Sequence, residues 1–142
     1  MKVSIKVTYG LRFLLYLAKS DSNKFIKINE VAHDENISEK YLENVVSIIK
    51  ASGIIKVKRG AQGGYKLSKA PEQITLKEIF IALNGPILVS EGTKDTIISR
   101  VVENSLNDLK NNIAEYLQNI SLGDLLNKYK KDIEDTNHMF YI

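Results

Sequence analysis

Residues Ser38 to Leu67 read SEKYLENVVSIIKASGIIKVKRGAQGGYKL, and the fold turns on this stretch. In its first half Leu42, Val45, Val46 and Ile49 recur at the spacing of one helical face, Ser38 stands where a cap belongs and Gly53 supplies a stop. The opposite face carries Glu39, Lys40, Glu43, Asn44, Ser47 and Lys50, a polar surface with few packing duties. In the second half two β-prone runs, Ile54–Arg59 and Tyr65–Ser68, flank the glycine-rich Gly60–Gly64, which predicts a hairpin. Such a ribbon is too short to stand alone and must lean on helices.

Upstream, Leu11, Leu14, Leu15 and Ala18 predict a helix from about Lys6 to Lys19, stopped by the polar run Ser20–Lys24. A short helix capped at Asn29 follows, with Val31 and Ala32 inward and Asp34-Glu35-Asn36 as its turn. Downstream, Thr75 and Glu78 form a T-x-x-E capping box for a fourth helix with Leu76, Ile79, Phe80 and Leu83 as its apolar stripe, ended by Asn84-Gly85-Pro86. A loop from Ile87 to Gly92 leads to the longest periodic segment, about Thr93 to Asn119. There Ile98, Val102, Leu106, Leu109, Ile113, Tyr116 and Ile120 are spaced by three or four residues. A helix of that length would span about 40 Å, more than a small domain covers. Its seam predicts a partner helix, the alternative being packing across its own domain. Ser121 with Asp124 predicts a short helix to about Lys131, and the last eleven residues divide into a polar stretch and the apolar end Met139-Phe140-Tyr141-Ile142.

Helix, turn, helix, then basic hairpin is the order of a winged helix-turn-helix, so the expected fold is mainly α with a small β-hairpin wing and a long dimerisation helix. The expected division is a DNA-binding domain over residues 1–85, the dimerisation helix and short following helix over 86–131, and a C-terminal tail over 132–142. At 142 residues the chain can bury a real core without staples. Its lack of cysteine removes disulfides, thiolate catalysis, zinc ribbons, cysteine-ligated clusters and thiol redox sensing. No apolar run reaches the length of a membrane span and the start lacks a secretory signal, so a cytoplasmic protein without membrane contact is expected.

The charge is uneven. Residues 1–70 hold 13 Lys and Arg against 6 Asp and Glu, a surplus of +7, whereas residues 71–142 hold 7 against 11, or −4. A basic half points to a polyanion. A major groove admits one helix, whose polar face meets base edges while cations beside it meet phosphates. Ser38, Lys40, Tyr41, Asn44 and Ser47 lie on or beside that face, and Lys56, Lys58 and Arg59 lead into the glycine turn of the hairpin.

Enzymatic readings find little support. His33 and His138 are the only histidines and do not form a metal motif. Asp34-Glu35 and Glu134-Asp135 are sequence neighbours that point apart on a helix. The Gly60–Gly64 turn lacks the Lys-Ser/Thr of a phosphate loop. No catalytic residue, metal or cofactor is expected.

The run YLENVVSIIKASGIIKVKRGAQGGYKLSKAPEQITLKEIFIALNGPI, residues 41–87, resembles the signature stretch of the bacterial winged-helix repressors that include IscR, NsrR and CymR. The wing RGAQGGYKL, the P-x-x-I-T helix start, the Gly85-Pro86 exit and Ile120-Ser121-Leu122-Gly123-Asp124-Leu125 carry the likeness, which covers nearly the whole chain. It implies a homodimer with crossed long helices on a palindromic double-stranded operator. The implied contacts are Ser38, Lys40, Tyr41, Glu43 and Asn44 on the helix, and Arg59 with Gln62 at the wing, where Lys58 adds its charge. Glu43 can accept from a cytosine amino group or pair with a nearby lysine. Lys6 and Tyr9 match a basic N-terminal segment whose common form is K-G-R-Y. Here the segment reads Lys6-Val7-Thr8-Tyr9, with one arginine fewer. The seam residues Ile98, Val102, Leu106, Leu109 and Ile113 would pair the two copies.

The iron–sulfur members of the family carry three cysteines before the long helix, where this chain has Ile87-Leu88-Val89-Ser90-Glu91-Gly92-Thr93. The terminal Met139, Phe140, Tyr141 and Ile142 are similar to the end of the cysteine-metabolism branch, the CymR type. That branch partners O-acetylserine sulfhydrylase (cysteine synthase), an enzyme whose cleft accepts C-terminal isoleucine tails. The bland alternative is that these residues fold back on the domain. Two rival functions stay open: a family regulator that binds a small molecule between winged domain and long helix, and a winged-helix protein adaptor.

Overall fold

The computed structural model describes residues 2–89, 92 and 95–140, with the side chain of Phe140 excepted. Its elements are α1 (Ile5–Lys19), α2 (Ile28–Asp34), α3 (Glu39–Ala51), β1 (Ile55–Lys58), β2 (Gly64–Leu67), a 3-10 turn (Pro71–Gln73), α4 (Leu76–Asn84), α5 (Ile97–Gln118) and α6 (Leu122–Phe140). The strands pair antiparallel, Ile55 opposite Leu67 and Lys58 opposite Gly64. This is the expected winged helix-turn-helix with a long helix behind it.

Helix α3 buries Leu42, Val45, Val46 and Ile49, the four positions its periodicity picks out. Full burial of an aliphatic side chain stabilises by about 1.5–3 kcal/mol, so this stripe fixes which face is left for solvent. The Ser38 Oγ accepts the Tyr41 N–H at 3.3 Å. Helix α1 sits rotated from its expected face: Val7, Gly10, Phe13, Leu14 and Leu17 are buried, whereas Leu11, Leu15 and Ala18 are half-buried. Gly10 lies on this buried face, where a Cβ would come within 2.4 Å of Leu83 Cδ1, so α1 and α4 approach closely there.

Other expectations need correction. Helix α2 is capped at Lys27, without a side-chain bond, and Asn29 lies inside its first turn. Thr75 Oγ1 accepts the Glu78 N–H at 3.1 Å, but the return arm of that capping box is missing, because the Glu78 carboxylate binds Lys69 Nζ at 3.1 Å. Helix α5 starts at Ile97 behind Thr96, whose Oγ1 accepts the Ser99 N–H at 3.0 Å. Residues 93 and 94, part of the expected start, lie outside the described residues.

The reciprocal box at α6 is complete, with Asp124 N–H to Ser121 Oγ at 3.0 Å and Ser121 N–H to Asp124 Oδ2 at 2.8 Å. Helix α6 then runs to Phe140 instead of stopping near Lys131. No glycine or proline follows Gly123, and Lys128, Lys130 and Lys131 each precede an acid by four residues, a spacing that supports a helix. Residues 132–140, the described part of the expected tail, are therefore a continuation of this helix.

One core joins these elements. Phe13, Leu14, Leu42, Ile49, Ile54, Ile74, Ile79 and Leu122 have essentially no exposure. Leu122 places the start of α6 in that core, held by two 2.8 Å bonds, Leu122 N–H to the Ile74 carbonyl and Leu76 N–H to the Ile120 carbonyl. Ile113 and Ile120 also pack against it. The stripe on α5 thus meets solvent over the first half of the helix and the core near its end, where Ile113 packs against the core and Leu117 is buried.

Candidate nucleic-acid interface

The turn between α2 and α3 needs one residue in the left-handed region, and Asn36 supplies it at φ 52°. Ile37 N–H bonds the Ala32 carbonyl at 2.9 Å. Arg12 braces this turn from α1, with Nε donating to Glu35 Oε1 at 3.1 Å and Nη2 to the Glu35 carbonyl oxygen. The Arg12 guanidinium also lies 5.4 Å from the Tyr9 ring, which meets Tyr41 edge-on at 5.4 Å. Two expected contact residues, Tyr9 of α1 and Tyr41 of α3, are thereby brought together, both half-buried.

Ser38, Lys40, Glu43, Asn44 and Ser47 are exposed on α3. Among the described residues Glu43 and Lys40 form no ion pair, so the carboxylate is not held by a neighbouring lysine. Lys6, Lys58, Arg59 and Gln62 are exposed as well. The wing turn lies beside the start of α3: Glu39 lines one shallow groove with Gly60, Gly63 and Gly64.

The register places Lys56 directly across from Lys66, with Lys58 two residues along β1 on the same face. Like charges facing across a ribbon are destabilising, and a bound polyanion removes that cost. Phe25 carries part of the load, with Lys66 Nζ 4.8 Å and Lys58 Nζ 5.7 Å from its ring centre. At Gly64, φ is 150° and a Cβ would meet the Ile26 carbonyl oxygen at 2.6 Å. This close approach accompanies the pair of backbone hydrogen bonds that ties the wing to the segment before α2, Ile26 N–H to the Tyr65 carbonyl and Tyr65 N–H to the Ile26 carbonyl, each 2.8 Å.

Sequence reasoning missed Arg12, Phe25 and Lys66, and also Lys27 and Asn29, which line the wing groove. Pairing the hairpin in register would have found Lys66. Nothing local marks Phe25 as the platform for two lysines.

On the far side of the turn the Tyr16 hydroxyl donates to Asp34 Oδ2. Burial, and then that hydrogen bond, raises the Tyr16 phenol above its ordinary 10.0. The bond from Tyr16, and then one from His33, lowers the Asp34 carboxyl below its ordinary 3.8. This pair joins α1 to α2 and carries no reacting group.

The remaining expected residues fall in two places. Ile98 is 78% exposed, Val102 50%, Leu109 44% and Leu106 36%, while Ile113 is half-buried on the domain side. Met139 is exposed on α6, and the Phe140 side chain, Tyr141 and Ile142 lie outside the described residues.

A winged helix-turn-helix that presents exposed cations on α3 and the wing suits a DNA-binding transcriptional regulator. The chain belongs to the Rrf2 family, described as iron-dependent transcriptional regulators, which it matches over residues 3–128. It is 34% identical to the HTH-type transcriptional regulator CymR of Bacillus subtilis (strain 168) over 142 residues, all of both chains. The structure of CymR (YrzC), the global cysteine regulator of B. subtilis, aligns with a TM-score of 0.80 at 33% identity, covering 90% of this chain and 98% of that one. IscR of T. potens aligns at 0.76 and 29% identity, covering 93% and 90%.

The family description names iron, and the donor set does not fit it. The chain has no cysteine, neither of its two histidines falls in the segment between α4 and α5, and among the described residues no three of His, Cys, Asp and Glu gather around a metal-sized space. These relatives are regulators rather than enzymes, and no described helix is long and apolar enough to cross a membrane.

Proposed function

We propose that the chain is a homodimeric repressor that binds a palindromic operator and controls cysteine and sulfur metabolism. The observation that carries this is the end-to-end likeness to CymR, which reaches past the winged domain into the helices behind it. In this reading residues 1–85 meet DNA, residues 86–131 pair two copies, residues 132–142 engage O-acetylserine sulfhydrylase, and the protein acts in the cytoplasm. Each α3 enters a major groove with Ser38, Lys40, Tyr41, Glu43 and Asn44. The wing adds Lys58, Arg59 and Gln62 on nearby backbone, and Lys6 and Tyr9 contact phosphates from α1. Phosphate contacts fix position and the few base contacts choose sequence.

The apolar face of α5 supports pairing. Ile97, Ile98, Val101, Val102, Leu106 and Leu109 line one side in contact with solvent, and a second α5 would cover Ile98, Val102, Leu106 and Leu109, with Ile113 at the edge. The continuous helix α6 supports presentation of the tail, since Met139 in its last turn is exposed. The terminal Ile142 carboxylate beside its apolar side chain resembles an amino-acid substrate.

Co-purification with the host's sulfhydrylase, followed by an operator shift with and without the enzyme, tests partner and mechanism together. Deleting Ile142 is expected to abolish co-elution with the enzyme and leave the dimer intact. Unchanged co-elution rejects the tail, and a chain that retains no operator fragment rejects the repressor.

A further inference from the structure

The antiparallel bridge of Ile26 to Tyr65 makes the segment before α2 a short third edge on the hairpin, and Lys27 continues it in extended conformation at φ −79° and ψ 146°. Alternation along these edges sets Phe25 opposite Lys66 and Lys27 opposite Gly64. Lys66 in turn lies opposite Lys56, and Gly64 opposite Lys58. One face of the ribbon therefore holds two rows: Phe25, Lys66 and Lys56, then Lys27, Gly64 and Lys58. The other face is the packed one, where Ile55 is buried and the Tyr65 ring meets Phe13 at 6.0 Å. Lys27, Lys56 and Lys58 are exposed, and Phe25 and Lys66 are half-buried.

The four lysines of this outward face form no ion pair among the described residues. The carboxylates at its borders are Asp21, which lines a groove with Lys56 and Lys66, and Glu39 of α3, which lines one with Lys27 and Gly64. Glu78 is already bound to Lys69. Uncompensated like charges on one ribbon face are costly to the fold, and a polyanion is the partner that offsets them. Through the groove with Glu39 the face joins the first turn of α3, so it is continuous with the proposed reading surface at one end. Lys56 and Lys66 carry it from there toward the base of the hairpin.

We propose that this face grips the duplex outside the operator half-site, with Lys27, Lys56 and Lys66 neutralising phosphates of the flanking DNA. Phe25 is a positioning residue: its ring holds the Lys66 and Lys58 ammonium groups on one side of the ribbon, 4.8 and 5.7 Å from its centre. Gly64 adds no side chain between Lys27 and Lys58, which lets a phosphate backbone come close at the middle of the face. The inference rests on the repressor reading and goes beyond it, because it gives each chain a footprint longer than its half of the palindrome.

The test uses the full chain and a palindromic duplex recovered by selection from random sequence. One form is trimmed to the half-sites, and the other is extended on each side by about ten base pairs, one helical turn, of unrelated sequence. Fluorescence anisotropy is expected to show the parent binding the extended form about tenfold more tightly, with a salt slope steeper by about 0.9 for each added phosphate contact. Lys56→Gln combined with Lys66→Gln should bind the two forms within about twofold of each other. Its thermal melt should be no lower than the parent's, because the facing like charges are gone. Phe25→Leu should lose about threefold on the extended form alone, and Phe25→Tyr should recover it. Equal affinity of the parent for both forms overturns the surface, and binding of poly-glutamate through Lys56 and Lys66 in that case marks an acidic protein partner instead. An extension effect that survives the double lysine variant overturns it as well. A chain that selects no sequence rejects the repressor reading; the phosphate contact then stands if an arbitrary duplex is bound through Lys56 and Lys66, and falls if it is not.

Discussion

Asn44 and Lys58 occupy exposed positions of the same surface, yet the chemistry of their side chains assigns them different tasks. An asparagine amide on α3 can pair bidentately with adenine, whereas a wing ammonium meets a phosphate as a point charge. Asn44→Ala is therefore expected to cost about 1–3 kcal/mol on the preferred operator and to relax selection at one base pair. Competition binding against a panel of single-base operator variants checks this. Lys58→Ala is expected to weaken binding evenly over all sequences and to reduce the steepness of its salt dependence by about one phosphate's worth, 0.9 in log–log slope. An unchanged slope would remove Lys58 from the contact surface. The polar face of α3 and the wing cations were legible in the sequence because charge and helical spacing are local properties. Phe25 was not, since its closeness to Lys58 and Lys66 comes from the tie between Ile26 and Tyr65.

At the level of elements, α1 and α2 are joined by a titratable pair whose pH response has a definite sign. Asp34 sits below its ordinary 3.8 in the fold, so its contribution is present above that pH and is lost as pH falls through the folded value. Tyr16 sits above its ordinary 10.0, so its contribution is complete below that pH and is lost as the solution becomes more alkaline. Thermal melts of Asp34→Asn are expected to show a flatter acid limb than the parent, and melts of Tyr16→Phe a flatter alkaline limb. Limbs of equal steepness would contradict the pairing. At α6, Ser121→Ala should cost about 1 kcal/mol through loss of the cap on Asp124 N–H, read by denaturant unfolding. Existence and type of the elements followed from pattern, whereas two details did not. The rotation of α1 places Gly10 against Leu83, a contact that no apolar periodicity reports. The extension of α6 rests on charge spacing after Lys128 rather than on an apolar stripe, the signal by which a helix is usually read.

At the scale of the molecule, α3 and the wing present exposed cations, and α5 presents an exposed apolar face that the proposed dimer would cover. Leu106→Lys is expected to shift the chain to monomer in light scattering while its circular dichroism stays native, because the residue is partly exposed and outside the core. Operator affinity should drop with it, since two half-sites then bind independently rather than through one linked pair. Spacing selected Ile113 together with Ile98, Val102, Leu106 and Leu109, but it did not report that the domain core packs against Ile113 while the other four face solvent. The claim on which the account depends is that cations on α3 and the wing neutralise operator phosphates. Fluorescence anisotropy of operator binding across a salt series measures it most directly, comparing the parent with the Lys40→Glu, Arg59→Glu double variant. The parent is expected to lose affinity linearly in log–log with slope about −0.9 per phosphate contacted, and the double variant to lose retention of the fragment. A flat parent slope, or a double variant that holds the operator as tightly as the parent, contradicts the account.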